Sequence, residues 1–146
     1  MIRALPGGDR PLGDGQPVGL GPDGSVTVGE NFRLAEASWY QGLAAIGRAG
    51  TGLIIDEVFL SGWSSQERLA VALRDLTVLW VGVRCAPEVA AIRERRRPDR
   101  VPGMAATQAG QVHGGVHFDL VVDTTCLSPL DCAHLIAERL GRANLD

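Results

Sequence analysis

The residues best placed to do chemistry are an acidic pair, Asp56 and Glu57, which follows a short apolar run at 53–55. A continuous apolar run of this kind is typical of a strand covered on both faces. Open α/β sheets bind their ligands at the carboxyl ends of strands, so Asp56 could contact a ligand there. The alternative is structural, with the carboxylate accepting hydrogen bonds from nearby backbone only.

A second candidate group is the arginine-rich end of a predicted helix, with Arg93, Arg95, Arg96, Arg97 and Arg100. A guanidinium offers paired donors to the oxygens of a phosphoryl group. The charge pattern alone favours a solvated helix end that stabilises the helix dipole. Nucleic-acid binding is not expected, because the cluster is short, lacks interleaved aromatic residues and lies in a chain of net charge -3.

Two weaker candidates complete the set. His113 and His117 lie near Asp119, but two intervening glycines break the helix that would align the imidazoles, and the spacing matches no zinc site, so a structural role is favoured. Trp63 lies in the loop after Asp56 and could face a substrate.

Composition indicates one globular domain, with 146 residues, 45% of them apolar and 21% charged. No apolar run approaches the roughly 20 residues needed to span a bilayer, so a membrane partner is not expected. The three cysteines lack paired metal spacing and no signal segment opens the chain. A cytoplasmic protein is predicted.

The order of elements predicts the fold class. Glycine and proline make residues 1–17 a flexible loop, and residues 18–28 form a hairpin. Residues 32–48 form a helix with Asn31 as its N-cap and one buried stripe. That stripe is predicted to contain Phe32, Ala35, Trp39, Leu43 and Ile46.

Strands and helices then alternate over residues 53–140. The strands are predicted at 53–55, 78–83 and 118–122. The helices are predicted after a Ser64–Glu67 capping box, from Pro87, and from Pro129 to Leu140 with Ser128 as cap. Alternating strands and helices favour an α/β fold with a parallel sheet in three layers.

Three segments, read in this order, resemble the chloramphenicol phosphotransferase family, which are ATP-dependent kinases with a P-loop fold. The segments are IIDEVFLSG, then VLWVGVRC with PEVAAIRERRRPDRVPGMAA, then HGGVHFDLVVDTT. The resemblance implies an antibiotic kinase that phosphorylates an alcohol, with ATP and Mg²⁺ as cofactors. It also implies that Asp56 holds Mg²⁺, that Arg97 and Arg100 contact phosphate from a lid near residues 93–104, and that the substrate is a small-molecule hydroxyl.

The sequence departs from that family at the phosphate site. It contains no G-x-x-x-x-G-K-[S/T] loop, and all 14 basic residues are arginine, so the phosphate-binding lysine has no counterpart. The family's central strand and catalytic aspartate are also expected to be missing. The sheet would then be split, and exposed strand edges would favour self-association or the binding of a complementing segment.

Several hypotheses follow from this departure. The chain alone is expected to have no kinase activity, because no residue of this sequence supplies the phosphate-binding loop or the catalytic base. The reading frame could begin too late for a whole kinase, or the chain could be a remnant of a kinase gene. A third alternative is a non-catalytic small-molecule-binding or interaction module that uses the hairpin and the Phe32 helix.

Overall fold

The computed structural model describes residues 18–21, 25–98, 103–109 and 111–143. Nine elements lie in these ranges. The strands are β1 (Val18–Leu20), β2 (Val26–Val28), β3 (Val81–Arg84) and β4 (Leu120–Asp123). The helices are α1 (Glu30–Arg48), α2 (Trp63–Ala72), α3 (Pro87–Arg95), α4 (Met104–Ala109) and α5 (Pro129–Ala143).

The predicted hairpin and the predicted first helix are both present. Strands β1 and β2 pair antiparallel, with Val18 opposite Val28. The predicted turn at 22–24 and the predicted loop at 1–17 lie outside the described residues. Helix α1 begins two residues earlier than predicted, and its N-cap is Gly29 rather than Asn31.

The buried face of α1 differs from the predicted stripe. Tyr40, Leu43 and Ala44 are buried, whereas Trp39 is 58% exposed and Ile46 is 44% exposed. The prediction is therefore confirmed for Leu43 and wrong for Trp39 and Ile46, because the buried face is rotated about the helix axis toward Tyr40 and Ala44. The buried face is the one that contacts the neighbouring helix. Helix α1 packs against α2, and the side that meets α2 is occupied by smaller side chains than tryptophan.

Helix α2 begins by a mechanism other than the predicted capping box. Its N-cap is Gly62, with φ 57° and ψ -134°, and no side chain caps the helix. Ser64 already lies inside the helix, and its hydroxyl donates to the carbonyl of Ser61 at 3.0 Å. A Cβ at position 62 would overlap the carbonyl oxygen of Gly114, which explains why glycine stands there.

A small parallel sheet is formed by β3 and β4, with Val81 opposite Leu120. The connection between them carries α3 and α4. Helix α3 begins at Pro87 as predicted, because proline suits the first helical position. Helix α5 begins after Ser128, whose hydroxyl oxygen accepts the N–H of Asp131 at 3.2 Å, so this predicted cap is confirmed.

The predicted strand at 53–55 is absent from the described structure. Residues 51–59 run without a helix, a strand, a turn or a bend, and Ile54 is fully exposed. A strand needs a hydrogen-bonded neighbour for its backbone groups, and no described segment pairs with this one. Within the described residues, the predicted three-layer parallel sheet is therefore a mixed α/β fold with one two-stranded parallel sheet.

The hydrophobic core lies between α1, α2 and the segment that follows Asp56. Its buried members are Tyr40, Leu43, Ala44, Phe59, Leu69, Ala72 and Leu73. Phe59 also packs against Trp80 with ring centroids 6.1 Å apart. This core fixes the 56–60 segment against two helices. No helix in the described part of the chain is long and apolar enough to cross a bilayer.

Candidate functional site

Asp56 lies in a wall that separates two cavities. The larger cavity, here called the groove, has a volume of about 860 Å³ and runs between residues 50–59 and residues 76–83. The smaller one, here called the side pocket, has a volume of about 260 Å³. Asp56, Glu57 and Val58 line both. The acidic pair is therefore the point where the two cavities meet.

The side pocket is bounded by the hairpin, the first turns of α1 and residues 56–60. Its apolar lining consists of Val28, Phe32, Val58 and Leu60. Its polar lining consists of the carboxylates of Glu36, Asp56 and Glu57 together with Arg33 and Ser65. A concave, mostly apolar site with a few convergent polar groups is the usual form of a small-molecule site.

Glu36 is the buried anchor of this region, with a side chain only 10% exposed. Its carboxylate accepts from Arg33 at 3.1 Å and from Arg68 at 2.9 Å, and the hydroxyl of Tyr40 donates to it at 3.4 Å. Burial raises its pKa, but the hydrogen bonds from Arg68 and Arg33 outweigh burial, so the pKa lies below the usual value. Glu36 therefore stays ionised and ties α1 to α2.

Glu57 has the opposite electrostatic environment. Burial raises its pKa, and the negative charges of Glu36 and Asp56 raise it further, although the backbone N–H of Val58 and the charge of Arg68 oppose the shift. Its net pKa is raised. Glu57 thus holds its proton to a higher pH than an ordinary glutamate, next to the exposed carboxylate of Asp56.

The carboxylates supply only part of a metal site. No group of three or more His, Cys, Asp or Glu residues that could hold a metal occurs among the residues that the structure describes. Mg²⁺ in phosphate-transferring sites is bound through one or two carboxylates and completed by phosphates and water. Asp56 fits the role of such a carboxylate ligand when a phosphate is also present. It does not complete a metal site with protein ligands alone.

Two other predicted site residues, Arg97 and Trp63, line neither cavity. Arg97 is exposed just beyond α3, where its backbone N–H donates to the carbonyl of Glu94 at 2.9 Å, and it lines neither cavity. Arg100 lies outside the described residues. Trp63 is 55% exposed and also lines neither cavity. The structure brings Asp56 to a cavity but does not bring Arg97 or Trp63 to one.

The two histidines do not form a metal pair with Asp119. His117 is exposed and lies 3.5 Å from the Asp119 carboxylate. His113 lines the groove, and its buried Nδ1 atom has no hydrogen-bond partner. Burial lowers the pKa of His113, and the charge of Arg84 lowers it further. His113 is therefore a neutral ring in an apolar wall.

Sequence reasoning missed the ion-pair cluster behind the side pocket. The i, i+3 spacing of Arg33 and Glu36 is the one local signal that could have indicated it. The bond from Arg68 to Glu36 spans 32 residues, so no local pattern could have shown it.

Two comparisons with known proteins bear on this site. A search of curated proteins found no match. A scan of protein families matched residues 11–141 to the family described as "Chloramphenicol phosphotransferase-like protein". The matched range includes the hairpin, the segment that carries Asp56 and the parallel sheet, so it covers both cavities. The chain therefore belongs to the chloramphenicol phosphotransferase-like family, whose members are kinases of the phosphotransferase type.

Proposed function

We propose that this chain is the substrate-binding part of an ATP-dependent phosphotransferase that acts on a hydroxyl of a small molecule. The observation that carries the proposal is the position of Asp56 and Glu57 in the wall shared by the side pocket, which has apolar and charged lining residues, and the larger groove. An alcohol in the side pocket would have its apolar body against Phe32 and Val58 and its hydroxyl near two carboxyl groups.

Each acidic residue has a separate role in this proposal. Asp56 is exposed and would hold Mg²⁺, which, when bound, neutralises charge on the transferring phosphoryl group. Glu57 is half-buried with a raised pKa, so below that pKa it can donate a hydrogen bond to a substrate oxygen. Glu36 is already fully engaged with Arg33 and Arg68, and so it shapes the pocket rather than binding the substrate.

Phosphate transfer also requires groups that this sequence does not contain. A lysine and a glycine-rich loop of the form G-x-x-x-x-G-K-[S/T] normally hold the nucleotide phosphates, and the chain has neither. Losing one aligned donor to developing charge costs about 3 kcal/mol of transition-state stabilisation, and losing several costs more. We therefore propose that the 146 residues bind the alcohol without turning over ATP.

Binding at the side pocket tests the proposal. The chain would be titrated with chloramphenicol and with simpler aromatic alcohols, with binding followed by calorimetry in the absence of ATP. Phe32→Ala removes an aromatic wall of the pocket, and we expect it to weaken binding by about tenfold or more. Leu34→Ala is the matched control, because Leu34 lies on the same helix, is 62% exposed and lines neither cavity.

We expect saturable binding that Phe32→Ala weakens and Leu34→Ala leaves unchanged. Equal effects of the two substitutions would contradict the proposal, since binding would then not depend on the pocket. The proposal would also be contradicted if none of the alcohols bound to the folded chain.

A further inference from the structure

Ser65 is a buried polar residue in the wall of the side pocket. It is 4% exposed, it lies in the first turn of α2, and it is one of the residues that line the pocket. Buried polar groups in folded proteins are nearly always hydrogen-bonded. The partners of the Ser65 hydroxyl therefore decide whether it can also bind a ligand.

The hydroxyl oxygen of Ser65 is fully used as an acceptor. It accepts the backbone N–H of Ser61 at 3.2 Å and a guanidinium N–H of Arg68 at 3.1 Å. A serine hydroxyl has two lone pairs and one hydrogen, so these two bonds occupy both lone pairs and leave the hydrogen over. In the part of the chain that the structure describes, the Ser65 hydroxyl donates to no acceptor.

The same contacts hold the hydroxyl in place. One guanidinium nitrogen of Arg68 donates both to Ser65 at 3.1 Å and to the Glu36 carboxylate at 3.3 Å. A hydroxyl that accepts from two donors cannot turn its hydrogen toward either of them, so the hydrogen occupies the remaining direction. Since Ser65 lines the side pocket, a molecule bound in that pocket can supply the acceptor.

The charges around the pocket select the kind of acceptor. Arg33 contributes one positive charge to the lining, whereas Glu36, Asp56 and Glu57 contribute carboxyl groups. Arg33 already donates to both oxygens of Glu36 at 3.1 Å, so its charge is largely balanced. An anionic ligand group would be repelled by the remaining carboxylate charge. A neutral carbonyl oxygen accepts a hydrogen bond without this cost.

We propose that the Ser65 hydroxyl donates a hydrogen bond to a neutral carbonyl oxygen of the substrate, so that the side pocket selects alcohols that also carry a ketone or an amide. This inference rests on the proposed function, because it concerns the molecule that occupies the same pocket. A site that donates a hydrogen bond to its ligand discriminates against an analogue without the acceptor, because the buried hydroxyl is then left unpaired.

Matched pairs of ligands test the inference on the full chain. Acetylbenzyl alcohol and ethylbenzyl alcohol have nearly the same shape, but only the acetyl compound has a carbonyl oxygen. The meta and para isomers of each vary the distance between the hydroxyl and the carbonyl. Calorimetry without ATP measures the dissociation constants. For at least one of the two ring positions, we expect the acetyl compound to bind about fivefold more tightly than its ethyl counterpart. The carboxybenzyl alcohol of that isomer should bind more weakly than the acetyl compound, because its carboxylate is repelled.

Two neighbouring serines locate the donor. Ser65→Ala removes the hydroxyl, and we expect it to abolish the preference for the acetyl compound. Ser64→Ala is the matched control, because the Ser64 hydroxyl donates to the carbonyl of Ser61 and Ser64 lines neither cavity. This variant should keep the preference. The measured quantity is the ratio of two dissociation constants in one variant, so a general effect of the substitution on the pocket cancels.

A second variant covers a failure of Ser65→Ala to fold, since that change also removes an acceptor of Ser61 and Arg68. Ser65→Cys keeps a side chain of similar shape but replaces the hydroxyl by a weaker donor. It should reduce the preference for the acetyl compound.

Several results would overturn the inference. Equal binding of every acetyl compound and its ethyl counterpart to the wild-type chain would show that the hydroxyl does not donate to the ligand. A preference that survives in the Ser65 variants, a preference lost equally in Ser64→Ala, or tighter binding of the carboxybenzyl alcohol would also overturn it. These results leave the proposed function in place, because an alcohol still binds. If no compound of the series bound, the proposed function would be contradicted, and this inference with it.

Discussion

Replacing Gly62 by alanine is the perturbation whose cost the structure defines best. Gly62 has φ 57° and ψ -134°, a backbone conformation that side-chain-bearing residues avoid at a cost of about 1–3 kcal/mol. The added Cβ would also overlap the carbonyl oxygen of Gly114, which accepts the N–H of Trp63 at 3.0 Å. Displacing that carbonyl weakens a hydrogen bond worth about 1 kcal/mol. We expect Gly62→Ala to lower the free energy of unfolding by about 3 kcal/mol.

Gly50→Ala is the matched control for this prediction. Gly50 has φ 88°, but an added Cβ would meet nothing within 4 Å, so only the conformational cost of about 1 kcal/mol applies. Urea unfolding followed by tryptophan fluorescence measures both variants. Equal losses of stability in the two variants would contradict this prediction, because they would show that the contact with Gly114 adds no cost. A smaller loss of stability in Gly62→Ala than in Gly50→Ala would contradict the prediction more strongly.

Two further predictions concern the contacts that hold the site. The pKa of Glu36 is lowered in the folded chain, so its ion pairs stabilise the fold above the unfolded value of about 4.5, and this contribution is lost as pH falls through the lower folded pKa. In acid-unfolding experiments, Glu36→Gln should destabilise the chain near neutral pH and have a much smaller effect in acid, while Glu67→Gln on the exposed face of α2 should change little at either pH. Buried Gln66 donates to the carbonyl of His117 at 2.6 Å and accepts the N–H of His117 at 2.8 Å. Gln66→Ala should therefore lower the free energy of unfolding, measured in urea, by about 2 kcal/mol. A loss below about 0.5 kcal/mol would contradict this prediction.

Elements with local signals could be predicted from the sequence. Pro87 and Ser128 mark helix starts through their own backbone and side-chain chemistry, and both helices begin there. The hairpin was predicted from its turn residues and alternating strand, and β1 and β2 pair as expected. These features depend on a few neighbouring residues, which a sequence displays directly.

Features that depend on distant neighbours could not be predicted. The cap of α2 is Gly62 because Gly114 lies against it, and nothing near Ser64 indicates this. The buried face of α1 is set by contact with α2, which left Trp39 exposed. The segment at 53–55 has the composition of a buried strand, but a strand also needs a hydrogen-bonded partner, and no segment pairs with it in the described structure.

The candidate site also has one part that the sequence predicts and one part that depends on distant residues. Asp56 was predicted from its position after an apolar run, and it lies at the junction of both cavities. The side pocket needed the hairpin and α1 to lie beside residues 56–60, which only the tertiary structure defines. The assigned roles of Asp56, Arg97 and Arg100 remain predictions.

Phosphate transfer by a complemented chain tests the central proposal most directly. The phosphate-loop segment of a family member would be fused ahead of Met1, and ATP-dependent phosphorylation of an alcohol bound by the side pocket would be measured beside the unfused chain. We expect no transfer by the unfused chain, transfer by the fusion, and a loss of activity of about a hundredfold or more in the fusion with Asp56→Ala. The central proposal would be contradicted by transfer from the unfused chain, by a folded fusion without activity, or by a fusion whose activity survives Asp56→Ala.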